Sequence, residues 1–135
     1  MKILLDTHIL IWALTNNPLL PEKSKKIIMD SDNEIYYSIV SLWEVEIKHL
    51  TNPKNLAVSS KVISAVAEVS GYTLIPLNPL SIYRLPELKR PDSAPRHKDP
   101  FDKILICQAI TEEMVFLTHD SLVSDYGVPN VWVVR

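Results

Sequence analysis

Four acidic residues, Asp6, Glu44, Asp102 and Asp120, stand at positions where an α/β fold would bring carboxylates together. Asp6 follows the first apolar run of the chain, and Asp120 lies just beyond a later one. Glu44 falls in the first turn of a predicted helix that directly follows a strand, whereas Asp102 opens a helix that follows a long loop. Ligands of parallel sheets bind at the carboxyl ends of the strands. Carboxylates gathered there would hold divalent cations that polarise a phosphoryl oxygen and deprotonate an attacking water.

Each acid, taken alone, also has a purely structural explanation. Ser41 and Glu44 have the spacing of a capping box, while Asp99, Pro100 and Asp102 match an N-cap, a proline at the first helical position and an acid at the third. A cap contributes about 1 kcal/mol, whereas two carboxylates ~4 Å apart repel by about 4 kcal/mol at an effective dielectric of 20. Four acids gathered for capping alone would therefore lose more free energy than they gain. A divalent cation reverses the sign of that balance.

Mg²⁺ or Mn²⁺ is the cofactor that this donor set favours, because carboxylate oxygens suit those ions better than zinc. The histidines show no paired helical spacing of the kind that zinc sites use; they are His8, His49, His97 and His119. The sequence also shows no evident pairing of a serine or cysteine nucleophile with a histidine base. Hydrolysis by a metal-activated water needs no such nucleophile.

The composition, with 47% hydrophobic and 22% charged residues, is that of a globular protein and predicts one domain over residues 1–135. Gly71 and Gly127, the two glycines, are too far apart to form a phosphate-binding loop, which excludes P-loop and dinucleotide-binding proteins. Cys107 is the single cysteine, so an internal disulfide is excluded. No signal peptide and no apolar segment of membrane-spanning length is evident, and we therefore expect a cytoplasmic protein without membrane contact. At a net charge of −2, nucleic-acid binding would require a local basic patch.

Alternating strand and helix patterns predict an α/β fold, a parallel sheet of about five strands with helices on both faces. The predicted strands cover 2–5, 35–40, 72–75, 115–117 and 131–134, and the predicted helices cover 7–14, 22–29, 41–50, 60–69, 79–85 and 99–113. Trp43, Ile47 and Leu50 fall on one face of their helix, as Val62, Val66 and Val69 do on theirs. Both helices are therefore predicted to be amphipathic.

The ordered motifs of the chain resemble those of PIN-domain proteins, specifically VapC-type toxins of type II toxin–antitoxin pairs in bacteria and archaea. The resemblance covers nearly the whole chain. Its motifs are Leu5-Asp6-Thr7-His8 with Trp12, the segment 38–44 ending in Ser-Leu-Trp-Glu, His97-Lys98-Asp99-Pro100-Phe101-Asp102-Lys103 with Gln108-Ala109, and Leu117-Thr118-His119-Asp120. Each motif alone is weakly specific, but their order and spacing together are highly specific.

The resemblance implies a Rossmann-like sheet and a Mg²⁺- or Mn²⁺-dependent endoribonuclease, with Asp6, Glu44, Asp102 and Asp120 as its catalytic and metal-binding acids. Asp99 resembles an additional acid of the subgroup, which would cap the helix or support a metal-binding acid without itself holding the metal. Thr118 resembles the hydroxyl residue two positions before the fourth acid. The implied partners are the RNA substrate, a second copy of the chain in a homodimer, and a VapB-like antitoxin whose tail enters the active site.

A local basic patch around the third acid is the candidate RNA-binding surface, with Arg96 and Lys103 as its strongest members. The full set comprises Lys89, Arg90, Arg96, His97, Lys98 and Lys103. A solvated loop explains the same residues equally well. Lys103 stands where the family commonly has arginine, so the charge is kept but the two-pronged guanidinium contact is lost. We interpret His97 as structural, and Trp12, Trp43 and Trp132 as core or dimer contacts rather than base-stacking residues.

Two other functions remain open at this point. A catalytically silent PIN-fold module would keep the fold only to bind a protein partner, and would bind no Mn²⁺ at the acids. A phosphoacceptor signalling domain also places acids at strand ends, but it requires an acidic pair after the first strand and a lysine near the last. The chain has a lone Asp6 and ends in Val133-Val134-Arg135.

Overall fold

The structure, a computed structural model, describes residues 1–95, 97 and 99–135, and within them forms a five-stranded sheet in which every paired strand is parallel. The strands are β1 (Lys2–Leu5), β2 (Glu34–Ser38), β3 (Thr73–Ile75), β4 (Val115–Thr118) and β5 (Val131–Val133), in the order β3-β2-β1-β4-β5. The α/β parallel sheet predicted from the sequence is confirmed.

Six α-helices connect or flank these strands in the described part of the chain. They are α1 (Thr7–Leu14), α2 (Glu22–Met29), α3 (Ile39–Thr51), α4 (Ser60–Val69), α5 (Pro79–Tyr83) and α6 (Pro100–Thr111). Short 3₁₀ helices cover Leu85–Glu87 and Ser121–Tyr126. None of the helices among the described residues is both long enough and apolar enough to span a membrane.

The central strand β1 separates two hydrophobic cores, because alternate side chains of a strand point to opposite faces. Ile3 and Leu5 pack into one core, with apolar side chains of α1, α3 and α4. Leu4 packs into the other, which is filled mainly by α6 and β4. Helices therefore cover both faces of the sheet, as predicted.

The strand order reverses at β1, which pairs with β2 on one side and with β4 on the other. Such a reversal opens a crevice at the carboxyl ends of the two strands concerned. Leu5 lies opposite Leu117 in the register of β1 and β4. Asp6 and Thr118 therefore follow at the same edge of the sheet, where the first acid was expected to lie.

The predicted boundary between β2 and α3, and the capping box built on it, are wrong. Ser38 caps α3, since its hydroxyl accepts a hydrogen bond from the Val40 amide at 3.0 Å. The same hydroxyl donates to Oε1 of Gln108, which ties the start of α3 to α6. Ser41 lies inside the helix and accepts a hydrogen bond from the Thr7 hydroxyl at 2.9 Å. Glu44 consequently lies in the second turn, beyond the capping positions.

The apolar faces predicted for α3 and α4 are largely exposed in the single chain. Trp43 is 63% exposed and Leu50 72%, and on α4 Val69 is 90% exposed. The buried side of α3 instead carries Glu44 beside apolar neighbours, and α4 buries Ile63 and Ala67. Helix α3 thus turns Ser41 and Glu44 toward the carboxyl ends of the strands. Its apolar face, with Trp43 and Leu50, consequently faces outward.

Candidate active site

Asp6 lies at the end of β1 and is 3% exposed. Its Oδ1 accepts a hydrogen bond from the His8 amide at 2.9 Å, and its Oδ2 accepts one from the Thr118 hydroxyl at 2.5 Å. Burial raises the pKa of Asp6, and the hydrogen bonds from Thr118 and His8 oppose that rise. One acid is thereby fixed in orientation at the sheet edge.

Thr118 connects the ends of the two central strands. Besides donating to Asp6, its hydroxyl oxygen accepts a hydrogen bond from the Asp120 amide at 3.1 Å. The carboxylate of Asp120 in turn accepts a hydrogen bond from the Leu122 amide at 2.9 Å, which starts the following 3₁₀ helix. A single hydroxyl group therefore sets the relative positions of the first and fourth predicted acids.

Glu44 reaches the same site from α3, with 2% of its surface exposed. Its Oε2 accepts a hydrogen bond from the Lys48 ammonium at 2.7 Å, one helical turn away. Its Oε1 is buried and has no hydrogen-bond partner among the described residues. A buried carboxylate oxygen without a partner is costly in free energy unless a ligand compensates it.

The pKa of Asp102 is strongly raised. Burial and then the negative charges of Asp6, Asp99, Glu44 and Asp120 raise its pKa to about 9. The structure therefore brings all four predicted acids close enough for their charges to interact. Without a cation, the repulsion among them is relieved by a proton that Asp102 retains at neutral pH.

His97, interpreted from the sequence as structural, is buried between two of the acids. Its Nε2 lies 3.2 Å from Oδ2 of Asp102 and 3.6 Å from Oδ2 of Asp120, and its Nδ1 lies 2.7 Å from the Tyr126 hydroxyl. Burial lowers the pKa of His97, so the ring is mainly uncharged at neutral pH. When the two acids are ionised they only accept hydrogen bonds, so Nε2 carries the proton and Tyr126 donates to Nδ1.

Asp99 caps α6 rather than facing the crevice directly. Its Oδ1 accepts hydrogen bonds from the Phe101 amide at 2.9 Å and from the Asp102 amide at 3.3 Å. The cap fixes the first turn of α6 and with it the backbone of Asp102. The predicted N-cap is therefore present, and Asp99 also adds negative charge near Asp102.

The donors at this site fit a divalent cation of the Mg²⁺ or Mn²⁺ type. Carboxylate oxygens predominate, and one of them, Oε1 of Glu44, is buried without a partner among the described residues. Carboxylate oxygens of Asp102 and Asp120 also lie within 4.8 Å of one another, so these two acids would hold one ion together. A cation would compensate the unpartnered oxygen and the repulsion that raises the pKa of Asp102.

The sequence profile of the PIN domain family matches residues 3–128. The chain belongs to this family. Its acidic crevice lies where the PIN fold places the carboxyl ends of its central strands, β1 and β4. The comparison with curated proteins found no match by sequence.

Solved structures share this PIN fold along the whole chain. A chain of the VapBC2 complex of Rickettsia felis, bound to a promoter DNA fragment, is 16% identical, covers 100% of both chains and gives a TM-score of 0.68. A chain of a Klebsiella pneumoniae toxin–antitoxin complex is 18% identical over 97% of this chain and 96% of its own, at 0.62. Mycobacterium tuberculosis VapC20, described as a sarcin–ricin loop cleaving toxin, is 15% identical over 98% of each chain, at 0.61.

Sequence reasoning missed Lys48 and Tyr126 as members of the site in this PIN domain. The spacing of Lys48 four residues after Glu44 was a usable signal, because such pairs meet on one face of a helix. Tyr126 had none, since its contact with His97 spans 29 residues. The predictions for Arg96 and Lys98 lie outside the described residues, whereas Lys103 is partly buried beside the crevice.

Proposed function

We propose that the protein is a Mg²⁺- or Mn²⁺-dependent endoribonuclease, the toxin of a type II toxin–antitoxin pair, and that residues 1–135 form one PIN domain. The observation that carries the proposal is a group of four carboxylates, three of them buried. In this group Asp102 has a pKa of about 9, and Glu44 keeps an oxygen that has no partner among the described residues. The family membership and the VapC-like fold of its neighbours support the same reading.

In this proposal Asp6, Glu44, Asp102 and Asp120 hold the cation, which when bound polarises the phosphodiester and lowers the pKa of an attacking water. Thr118 orients Asp6 through its hydroxyl group, and Asp99 orients Asp102 through the cap of α6. His97 orients Asp102 through the hydrogen bond that its Nε2–H donates to Oδ2 of that carboxylate at 3.2 Å.

Lys48 has a separate task in the proposed reaction. Its ammonium group donates a hydrogen bond to Oε2 of Glu44, so Oε1 is the oxygen that remains available to a cation. The same charge offsets part of the negative field that would repel an RNA phosphate.

The proposed partners are RNA, an antitoxin and a second copy of the chain. The Klebsiella pneumoniae relative belongs to a toxin–antitoxin complex, and VapC20 is a toxin that cleaves the sarcin–ricin loop. The outward faces of α3 and α4 expose Trp43, Leu50, Val62 and Val69. Exposed apolar surface of this kind is typical of protein–protein interfaces, so it supports burial against a partner chain.

The purified protein is expected to cleave RNA when Mg²⁺ or Mn²⁺ is present and to stop when EDTA is added. Labelled total RNA and a single-stranded DNA oligonucleotide serve as substrates, with gel electrophoresis as the readout. Cleavage of RNA alone supports the proposal. Cleavage that persists in EDTA, or no cleavage of any RNA with either metal, would contradict it.

Replacing Thr118 by valine should weaken Mn²⁺ binding by roughly 10- to 100-fold, as is usual when a group that orients a ligand is removed. The substitution keeps the side-chain volume but removes both the hydrogen bond to Asp6 and the acceptor for the Asp120 amide. Isothermal titration calorimetry measures the change, and Thr73→Val, at the exposed start of β3, is the matched control. An affinity equal to that of the control variant would show that Thr118 does not orient these acids.

A further inference from the structure

A second cavity, of about 550 Å³, adjoins the acidic site and shares His97 with it. Its walls come from the segment around the 3₁₀ helix Leu85–Glu87, from the first turn of α6 and from Tyr126. The cavity is within the size range of pockets that bind small ligands, so it has room for one nucleotide. The metal site described above does not use it.

The charges of this cavity are opposite to those of the neighbouring crevice. Its described lining contains the cationic side chains of Arg90 and Lys103 and no carboxylate. The crevice beside it, in contrast, gathers four acids around Asp102. A polyanion bound across both would therefore be repelled at the crevice and attracted at the cavity.

Arg90 is a fixed part of the wall. Its side chain is 11% exposed, and its Nη2 donates to Oδ2 of Asp125 at 2.8 Å. The guanidinium group also lies 5.4 Å from the centre of the Tyr126 ring, and Tyr126 contacts His97. The charge of Arg90 is thus already paired with protein groups.

Among the lining residues that the structure describes, Lys103 is the cation available to a ligand. It forms no ion pair with any residue that the structure describes, although it directly follows Asp102 on α6. A phosphate held by Lys103 would therefore lie next to the proposed reaction centre. Lysine binds phosphate as a point charge, without the fixed geometry of arginine.

The remaining lining is apolar and suits the face of a base. Pro86 and Leu88 come from the segment that follows α5, and Pro100 comes from the start of α6. Bases of single-stranded RNA are bound through their faces, against aromatic or apolar side chains, together with cations that contact the backbone. The unpaired cation that the described lining provides, beside an apolar wall, matches a nucleotide better than it matches an apolar peptide.

We propose that this cavity binds the nucleotide adjacent to the cleaved bond of a single-stranded RNA, with Lys103 at its phosphate and Leu88 against its base. The proposal rests on the nuclease function proposed above and deepens it, because a base-sized cavity beside the acids would select where the strand is cut. Lys103 and Leu88 are then the residues that determine cleavage-site preference.

The test compares Lys103→Gln and Leu88→Trp with wild type. The matched control is Lys2→Gln, because Lys2 begins β1 at the end of the strand away from the acids. Binding of a fluorescein-labelled single-stranded RNA is followed by anisotropy in EDTA at pH 6.5 over a range of salt concentrations. Cleavage positions are mapped separately with Mg²⁺. Circular dichroism and thermal unfolding establish whether each variant is folded. If Leu88→Trp does not fold, Lys103→Gln alone decides the test.

We expect Lys103→Gln to weaken RNA binding severalfold. The plot of log affinity against log salt concentration should also become less steep by about 0.7, the value for one phosphate contact on a single strand. Leu88→Trp should shift the cut positions by filling the cavity. Binding, salt slope and cut positions equal to those of wild type would overturn the subsite. If wild type cuts no RNA but the variants still bind RNA more weakly than wild type, the nuclease function is overturned and the subsite is supported.

Discussion

The Asp102→Asn variant is expected to cleave RNA at least about a thousandfold more slowly than wild type. A bound cation stabilises the transition state by several kcal/mol, and each ~1.4 kcal/mol changes the rate tenfold. Asp102 is buried and lies within the field of four other acids. An amide in its place keeps the shape but cannot provide the negative oxygen. The rate is measured under single-turnover conditions with excess protein.

Loss of activity in this variant should not come from unfolding. The pKa of Asp102 is about 9, so the wild-type protein without metal already carries a neutral group there at pH 7. Asparagine should therefore leave the unfolding temperature in EDTA unchanged or higher. Asp32→Asn, in the exposed turn before β2, is the control and should cut at the wild-type rate. Cleavage by Asp102→Asn within tenfold of wild type would exclude the proposed role.

The affinity for Mn²⁺ should increase as the pH rises from 6 to 8, by up to about tenfold per pH unit, which is the limit for one displaced proton. Below about pH 9 the metal-free protein keeps a proton on Asp102, and a cation must release it in order to bind. Calorimetry in buffers of different ionisation enthalpy counts the protons released. A pH-independent affinity without proton release would contradict this account.

Stability in EDTA should follow the opposite trend with pH. The folded protein binds the proton of Asp102 more tightly than the unfolded chain, whose aspartate has a pKa of 3.8. The free energy of unfolding therefore falls as the pH rises from about 4 toward 9, by at most about 1.4 kcal/mol per pH unit for this group. Asp102→Asn should remove this contribution, which chemical denaturation at several pH values would detect.

The sequence was sufficient for those parts of the site that depend on local chemistry and strand ends. Asp6 and Asp120 follow strands that become neighbours in the sheet, and Asp99 caps α6 through a local pattern. The acids also come close together as expected, and burial together with their negative charges raises the pKa of Asp102. These features need only the direction of the strands and the rules of helix capping.

Features that depend on packing could not be read from the sequence. The sequence leaves open whether Trp43 is a core residue or a dimer contact. In the structure the side chain lies outside the core, because α3 turns Glu44 inward. The position of Glu44 itself depends on Ser38, which begins α3 earlier than the β-branched residues Ile39 and Val40 suggest. Periodicity identifies an apolar face but does not indicate which face the remaining structure covers.

Contacts between distant segments were likewise hidden. His97 meets Tyr126 across 29 residues, and Arg90 meets Asp125 across 35. Both contacts join the loop before α6 to the 3₁₀ helix after Asp120, and so assemble the side of the site next to the second cavity. A tyrosine or an arginine in an isolated sequence carries no signal for such a partner.

The central claim, that these carboxylates form a divalent-cation site, is tested most directly by titrating Mn²⁺ into the metal-free protein at pH 7.5. The account predicts saturable binding to wild type and to Asp32→Asn, and a loss of that binding in Asp102→Asn. Absence of Mn²⁺ binding to wild type would contradict the claim and favour a PIN-fold module that only binds a protein partner. Equal binding by Asp102→Asn would place the cation elsewhere.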